Sequence, residues 1–559
     1  MKYLIVFSLA LISFGTKAQD LENLKDQKPV SISGSINASL QSYSTTRERA
    51  SRQPFIWTLS GNPTLNIYGI TLPFSFVLSR KNEDFRQPFN QFGLSPYYKW
   101  LTLHFGYRSL SFSQFSLNGH IFNGVGAEAN PGNWRLGFMY GRLLKPIDPD
   151  PDALVPIRPT YKRKGYSVKV GYGTPSNYVD LILLKGWDIP NSIERPTDSV
   201  TINPQENVVL ALKTQQRLFQ RISFNLDVGL SGWTSNLFAE GLPREDIPLA
   251  DIIANLMTIN YSTQFLTAGR ASLSARIAQV NLKLQYQRIE PDYQTMGAYF
   301  FNNDLENITI SPSWSMFKRK VRINASAGWQ RNNLFDDKVN QTNRRVGSFQ
   351  MSFTPSRKIS ASVSYTNFQV NQQRLDVIRR DVIDSLQLQQ FSNNLSVNIN
   401  YNFGDDDRRY NINAGLNNQS MTQDQNNEAL RDNDSRSISP MFSFRYNNKA
   451  TKWGYRANFN LNDFENSSVS TVRWGISLSA NKELADDKLR LSANTSYNQT
   501  SLDGMRGGTT IRLGIKGSYR AGEKHTLSFG TNFIRRASSN ERIEGFSEFL
   551  GDLSYSYAF

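Results

Sequence analysis

The chain has 559 residues, a net charge of +16 from 63 Lys and Arg against 47 Asp and Glu, and no cysteine. The missing thiols exclude disulfides, thiolate metal sites and a lipid anchor, which needs a cysteine directly behind its cleavage site. A mean hydropathy of −0.47 ordinarily marks a soluble protein, yet 35 Phe, 24 Tyr and 9 Trp accompany it. That combination leaves a soluble all-β protein, or a barrel whose strands show lipid one face and water the other.

Lys2, the apolar run Tyr3 to Phe14 and the small residues around Thr16-Lys17-Ala18 read as a cleavable signal peptide over 1–18, with Gln19 as the mature N-terminus. The run is well short of the about 20 apolar residues that a spanning helix needs. One strand-and-turn grammar then fills 19–559 without a Pro-, Gly- or Ser-rich linker, so a single barrel domain is expected. Ile32, Gly34, Ile36, Ala38 and Leu40 begin the alternation.

Between Leu94 and Arg142 aromatics and glycines interleave. Leu101, Leu103, Phe105 and Tyr107 read as lipid-facing, which sends His104 and Arg108 into the lumen as candidate constriction residues. For Ser111 to Gly132 two readings stand: a segment folded into the pore, narrowing it or stacking on a sugar, and an external loop with interface aromatics. The external loop is the favoured one. Leu143 to Pro159 and Trp187 to Gln205 are irregular, Asp251 to Ala271 is hard to phase, and Leu375, Ile378, Val382 and Leu386 stand at the spacing of a short loop helix.

Alternation then becomes regular. Leu395, Val397, Ile399, Tyr401 and Phe403 oppose Ser396, Asn398, Asn400 and Asn402. Trp453, Tyr455, Ala457, Phe459 and Leu461 oppose Lys452, Gly454, Arg456, Asn458 and Asn460, and Ile511, Leu513, Ile515 and Tyr519 oppose Arg512, Gly514, Lys516 and Ser518. An arginine on the lipid face costs about 2–4 kcal/mol at mid-membrane. Arg322, Arg445, Arg456, Arg473, Arg490, Arg512 and Lys516, all on the phase opposite the apolar residues, are therefore expected to line the lumen.

The last residues, Phe549 to Phe559, alternate and end on an aromatic, with Tyr555, Tyr557 and Phe559 in phase. This resembles the terminal β-signal of bacterial outer-membrane proteins, and the resemblance implies recognition by the barrel-assembly machinery, a place in the outer membrane and a periplasmic C-terminus. Counting back from there, connections alternate mostly short and long; Gln499 to Gly508 reads as one of the longer, external ones. The fold expected is all-β, a transmembrane antiparallel β-barrel of about 22 to 26 strands with long external loops and short periplasmic turns. TonB-dependent receptors carry a large plug before their barrel, whereas alternation here starts within about a dozen residues of the mature start, so that resemblance stops at the barrel.

Catalysis is not expected. Of the only histidines, His104 reads as pointing inward, His525 sits in or beside a short periplasmic turn and His120 has no evident nucleophile partner, and Pro interrupts Asp148, Asp150 and Asp152 too often for a calcium loop. Asp405-Asp406-Asp407 reads as a solvated turn. No cofactor or nucleic-acid partner is implied. The expected function is a non-catalytic barrel that passes or binds small polar or anionic solutes. The alternative is an accessory barrel of a secretion, surface-anchoring or envelope-assembly complex that meets a protein through its external loops. Outer-membrane lipid and lipopolysaccharide are the remaining expected partners, with basic residues near the external ends on the phosphates.

Overall fold

A computed structural model of the chain describes residues 30–47, 52–80, 91–149, 159–193, 202–243, 255–299, 302–338, 340–374, 388–425, 428–429, 434–539 and 544–559. The signal-peptide segment 1–18 and all but the last residue of the expected helix at 375–388 lie outside them.

Every neighbouring pair of strands is antiparallel, and the last strand, Phe546–Ala558, pairs with Ser35–Thr45 from Ser35↔Ala558 to Thr45↔Glu548. That pairing closes the sheet. Val30–Ser33 continues as Ser35–Thr45, Phe55–Gly61 as Thr64–Ile67 and Gln91–Leu94 as Tyr97–Tyr98, while Glu428–Ala429 is only a loop bridge. The barrel among the described residues thus has 26 strands, at the upper edge of the expected range. Closure removes the unpaired edges that a long sheet would otherwise expose. No described helix is long and apolar enough to cross a membrane; the strands do the crossing.

One rim, which carries the C-terminus, is built of tight turns such as 278–279 and 405–407. The opposite rim carries the longer connections, up to 235–262. The alternation of lengths holds except near the end of the chain: Gln499 to Gly508 is no loop but strand running through Leu502, a two-residue turn, and strand again from Met505. Asp503 and Gly504, at φ 51° and 77°, supply the left-handed pair that an Asp-Gly hairpin turn requires.

The two faces are separated by burial. Leu181 is 62 % exposed and the adjacent Ile182 2 %, so odd positions of Asn177–Ile189 face outward. Directly opposed residues of antiparallel strands share a face, and the pairings carry this assignment around the ring. The outer face is an apolar band, bordered at the tight-turn rim by aromatics in contact: Phe403–Tyr410 stacked at 5.0 Å, Tyr410–Tyr446 tilted at 5.0 Å and Trp453–Tyr455 stacked at 5.5 Å. An apolar band with an aromatic girdle is what a membrane-spanning barrel presents to lipid and its interface.

Candidate functional site: a lumen padded on one wall and wet on the other

The inner face of Leu101–Ser111, Asn118–Ala129, Trp134–Leu144, Asn177–Ile189 and Glu206–Leu218 carries Leu110, Phe122, Met139, Leu143, Ile182, Leu184 and Val209. An aqueous lumen would leave that surface wet. Two connections from the long-loop rim cover it instead. Residues 112–117 and 290–299 turn inward: Phe112, Leu117 and Met296 join the wall cluster, and Phe115 and Tyr293 make a second one with Ala268, Ile289 and Leu305. Burial of each such side chain contributes about 1.5–3 kcal/mol.

Polar contacts fix the two segments to each other and to the wall. Tyr293 donates its hydroxyl to the Phe115 carbonyl at 2.6 Å, Thr295 Oγ1 donates to the Ser116 carbonyl at 3.0 Å, and the Asn118 N–H reaches the Gly297 carbonyl at 2.8 Å. From the wall, Asp227 accepts from Ser113 Oγ and from the Gln114 N–H, Lys213 Nζ donates to the Phe112 carbonyl at 3.2 Å, and Asn207 accepts the Met296 N–H at 3.0 Å. Burial pushes the Tyr293 hydroxyl far above its usual range, so it remains a donor. Glycines make room. A Cβ on Gly229 would stand 2.7 Å from the Tyr293 hydroxyl, and one on Gly186 2.8 Å from Met296 Sδ.

These segments correct the expectation for Ser111 to Gly132. Most of that stretch is the strand Asn118–Ala129, 130–132 belong to the tight turn behind it, and 112–117 leaves the sheet inward rather than outward. The reason is the apolar inner wall, which a loop standing in water would leave uncovered.

From residue 340 to the C-terminus the wall has no buried apolar cluster among the described residues. Its inner face is mostly Asn, Ser, Gln and Arg, with single apolar residues such as Phe368 and Ile534 among them, and its polar side chains bond to one another: Asn411 Nδ2 to Asn402 Oδ1 at 2.8 Å, Asn402 Nδ2 to Asn400 Oδ1 at 2.8 Å, and Asn462 Nδ2 to Ser439 Oγ at 2.8 Å. Arg322, Arg445, Arg456, Arg473, Arg490, Arg512 and Lys516 all fall on this face by register. Arg490 is ion-paired with Glu483 across its own hairpin. The other six make no ion pair among the described residues. Arg445 stands directly opposite Arg456, an arrangement that is unfavourable unless water or an anion screens it. Arg445 also lines a polar cavity of about 1080 Å³ near the tight-turn rim, with Arg357, Lys358 and Arg409 facing Asp405 and Asp406. The aspartate run is a turn: Asp405 Oδ1 accepts the N–H groups of Asp407 and Arg408.

His104 and Arg108 are also on the inner face but are held to the wall. Arg108 Nη1 donates to Ser75 Oγ at 2.6 Å, and its guanidinium lies where a Cβ on Gly93 would be. His104 Nδ1 is 3.0 Å from Ser95 Oγ, and its Nε2 is 3.5 Å from Glu128 Oε2, which Lys169 also approaches. Residues 112–117 and 290–299, by contrast, leave the sheet and pack over the inner wall. Ser95, His104 and Glu128 are the residue types of a hydrolytic triad, which the sequence did not bring together. However, the Ser95 N–H donates to the Pro73 carbonyl at 3.0 Å and the next residue is Pro96, which has no N–H. Neither backbone group nearest the hydroxyl is left to hold an oxyanion.

At the closure, the Phe559 N–H donates to the Gly34 carbonyl at 3.0 Å, Tyr555 faces outward and bonds His525 Nδ1 at 2.7 Å, and Tyr557 lies against the same imidazole. Sequence reasoning expected basic residues near the external ends but did not name those on the outer phase. Arg288, Arg331 and Arg345 stand outside the barrel near the long-loop rim, above the apolar band, where an arginine costs little.

The closed sheet, its apolar outer band and its polar lumen define a transmembrane β-barrel, the architecture of bacterial outer-membrane barrels. No protein-family model and no curated protein matches the chain. Among solved structures it is similar to OprD of Pseudomonas aeruginosa (9 % identity, 68 % of this chain and 95 % of that one, TM-score 0.30) and to OccK9 (OpdG) of the same organism (11 %, 94 % and 98 %, 0.31). It is also similar to the translocation pore of the P pilus usher PapC (10 %, 94 % and 99 %, 0.27). At these scores the likenesses assign neither family nor cargo.

Proposed function

We propose that this protein is an outer-membrane channel for small polar, preferentially anionic, solutes, with its C-terminus in the periplasm. The observation that carries the reading is the opposed Arg445–Arg456 pair beside the basic cavity, on a wall with few acids to neutralise it. An anion about 6 Å from both guanidinium groups in a water-like dielectric gains roughly 1.4 kcal/mol, or about tenfold in local concentration. The inserted segments reduce the passage to the space before the wet wall.

The test is single-channel recording of the refolded protein in a planar bilayer, with reversal potentials across a potassium chloride gradient. Chloride preference that falls on replacing Arg445 and Arg456 by Ser, and fades toward 1 M salt where screening acts over about 3 Å, supports the reading. A barrel that is silent in every record removes it. The padded wall would then favour the accessory barrel, with the long-loop rim as its docking face.

A further inference from the structure

We propose that the outer wall carries a built site for one phosphorylated glycolipid of the outer leaflet, with an acyl chain in a furrow of the sheet and the head group in a cationic pocket at the furrow's upper end. This rests on the orientation given above, in which the long-loop rim is external.

The furrow follows from side-chain size. On the outer phase Leu273, Leu284, Ile308 and Ile310 form one bank, while Ala327 and Gly347 leave the floor low; the hollow is about 770 Å³. A Cβ built on Gly347 meets nothing within 4 Å, so the space above it is open. A smooth barrel would meet fluid lipid here with a row of larger residues, and a groove of this depth fits one extended chain.

The upper end is chemically different. Trp329 and Arg345, which border the furrow, also border a polar hollow of about 350 Å³ completed by Asn343, Gln369, Asn371 and Gln389. Arg345 is exposed and makes no ion pair among the described residues. The amides of Asn343, Gln369 and Gln389 line the hollow and offer donors and carbonyl acceptors to a hydroxyl. Alongside, Arg288 and Arg331 flank Glu306, but Glu306 already takes Arg331 Nε at 2.7 Å and the Tyr286 hydroxyl at 2.7 Å, so the patch keeps a positive surplus. An unpaired guanidinium selects a phosphate, side-chain amides select sugar hydroxyls, and the adjoining apolar furrow requires that both belong to an amphiphile.

The experiment is native mass spectrometry of the full-length barrel in detergent, titrated in separate arms with lipid A, bis-dephosphorylated lipid A and phosphatidylglycerol. The expected result is preferential retention of lipid A, weakened about tenfold by Arg345→Ser, weakened also by Gly347→Leu, which fills the furrow from open space, and unchanged by Arg512→Ser in the lumen. Faster gel migration of the unboiled sample than of the boiled one reports that each variant is folded. Equal retention by wild type and both outer variants overturns the site, and so does equal binding of the dephosphorylated lipid. Phosphatidylglycerol binding as strongly as lipid A overturns the glycolipid assignment. An epitope inserted at Gly241 tests orientation separately: if antibody cannot reach it on intact cells, the external placement fails whatever the micelle titration gives.

Discussion

The inserted segments should be removable without opening the barrel. Phe115 is fully buried, edge-on to Tyr293 at 6.3 Å, and its carbonyl takes the Tyr293 hydroxyl. Truncating such a phenylalanine costs about 3–5 kcal/mol, and that cost falls on the attachment of 112–117 to 290–299, because the strand ladder on either side does not use the ring. A shift of that size changes the ratio of docked to released segment by about a hundredfold or more. In single-channel records Phe115→Ala should therefore add fluctuating or larger conductance steps, with heat-modifiable gel migration as in the wild type. Gly229→Leu should act alike, because its Cβ would meet the Tyr293 hydroxyl at 2.7 Å and Phe115 Cβ at 2.9 Å. If both variants fold and the records match those of the wild type, the segments do not set the passage and the account of the padded wall is wrong.

Three further outcomes are expected. Asp304 is buried, which alone would raise its pKa, but hydrogen bonds from Lys338 and from the Leu334 N–H outweigh burial and hold it below its ordinary value, while Lys338 is raised in return. Because a depressed carboxylate stabilises above its unfolded pKa and loses that contribution as pH falls through the folded one, the contact between 302–305 and 332–338 should persist at neutral pH. Amide exchange at Leu334 should rise only below about pH 4; exchange independent of pH after correction for the intrinsic rate would contradict this. Gly504→Val forces a branched side chain into the left-handed turn and should destabilise the barrel by roughly 1–2 kcal/mol in urea unfolding; no change would mean that the turn is free to relax. Deleting Phe559 should reduce assembled barrel in cells more than refolding into detergent in vitro; equal losses would argue for a packing role at the closure and against an assembly signal.

The sequence by itself determined the closed antiparallel barrel and the two faces of its regular strands. Both follow from a period of two, and that period is local: a residue's side is set by its neighbour. Strands near the C-terminus, where Asn and Ser alternate with Leu, Ile and Tyr, were legible for that reason. The Asp503-Gly504 turn was equally local but was taken for part of a longer loop, because the polar residues around it read as loop although they face water from within a strand. The structure alone decided that 112–117 turns inward. Its contact with Tyr293 joins residues 178 apart, and the direction a loop takes depends on whether the wall beneath it is apolar, which becomes a surface only when several distant strands stand side by side. The furrow that ends at Arg345 belongs to the same class, since it forms only where several strands stand side by side, whereas the pairing of Arg490 with Glu483 and the opposition of Arg445 and Arg456 lie within single hairpins and needed only the hairpin register that the sequence left open.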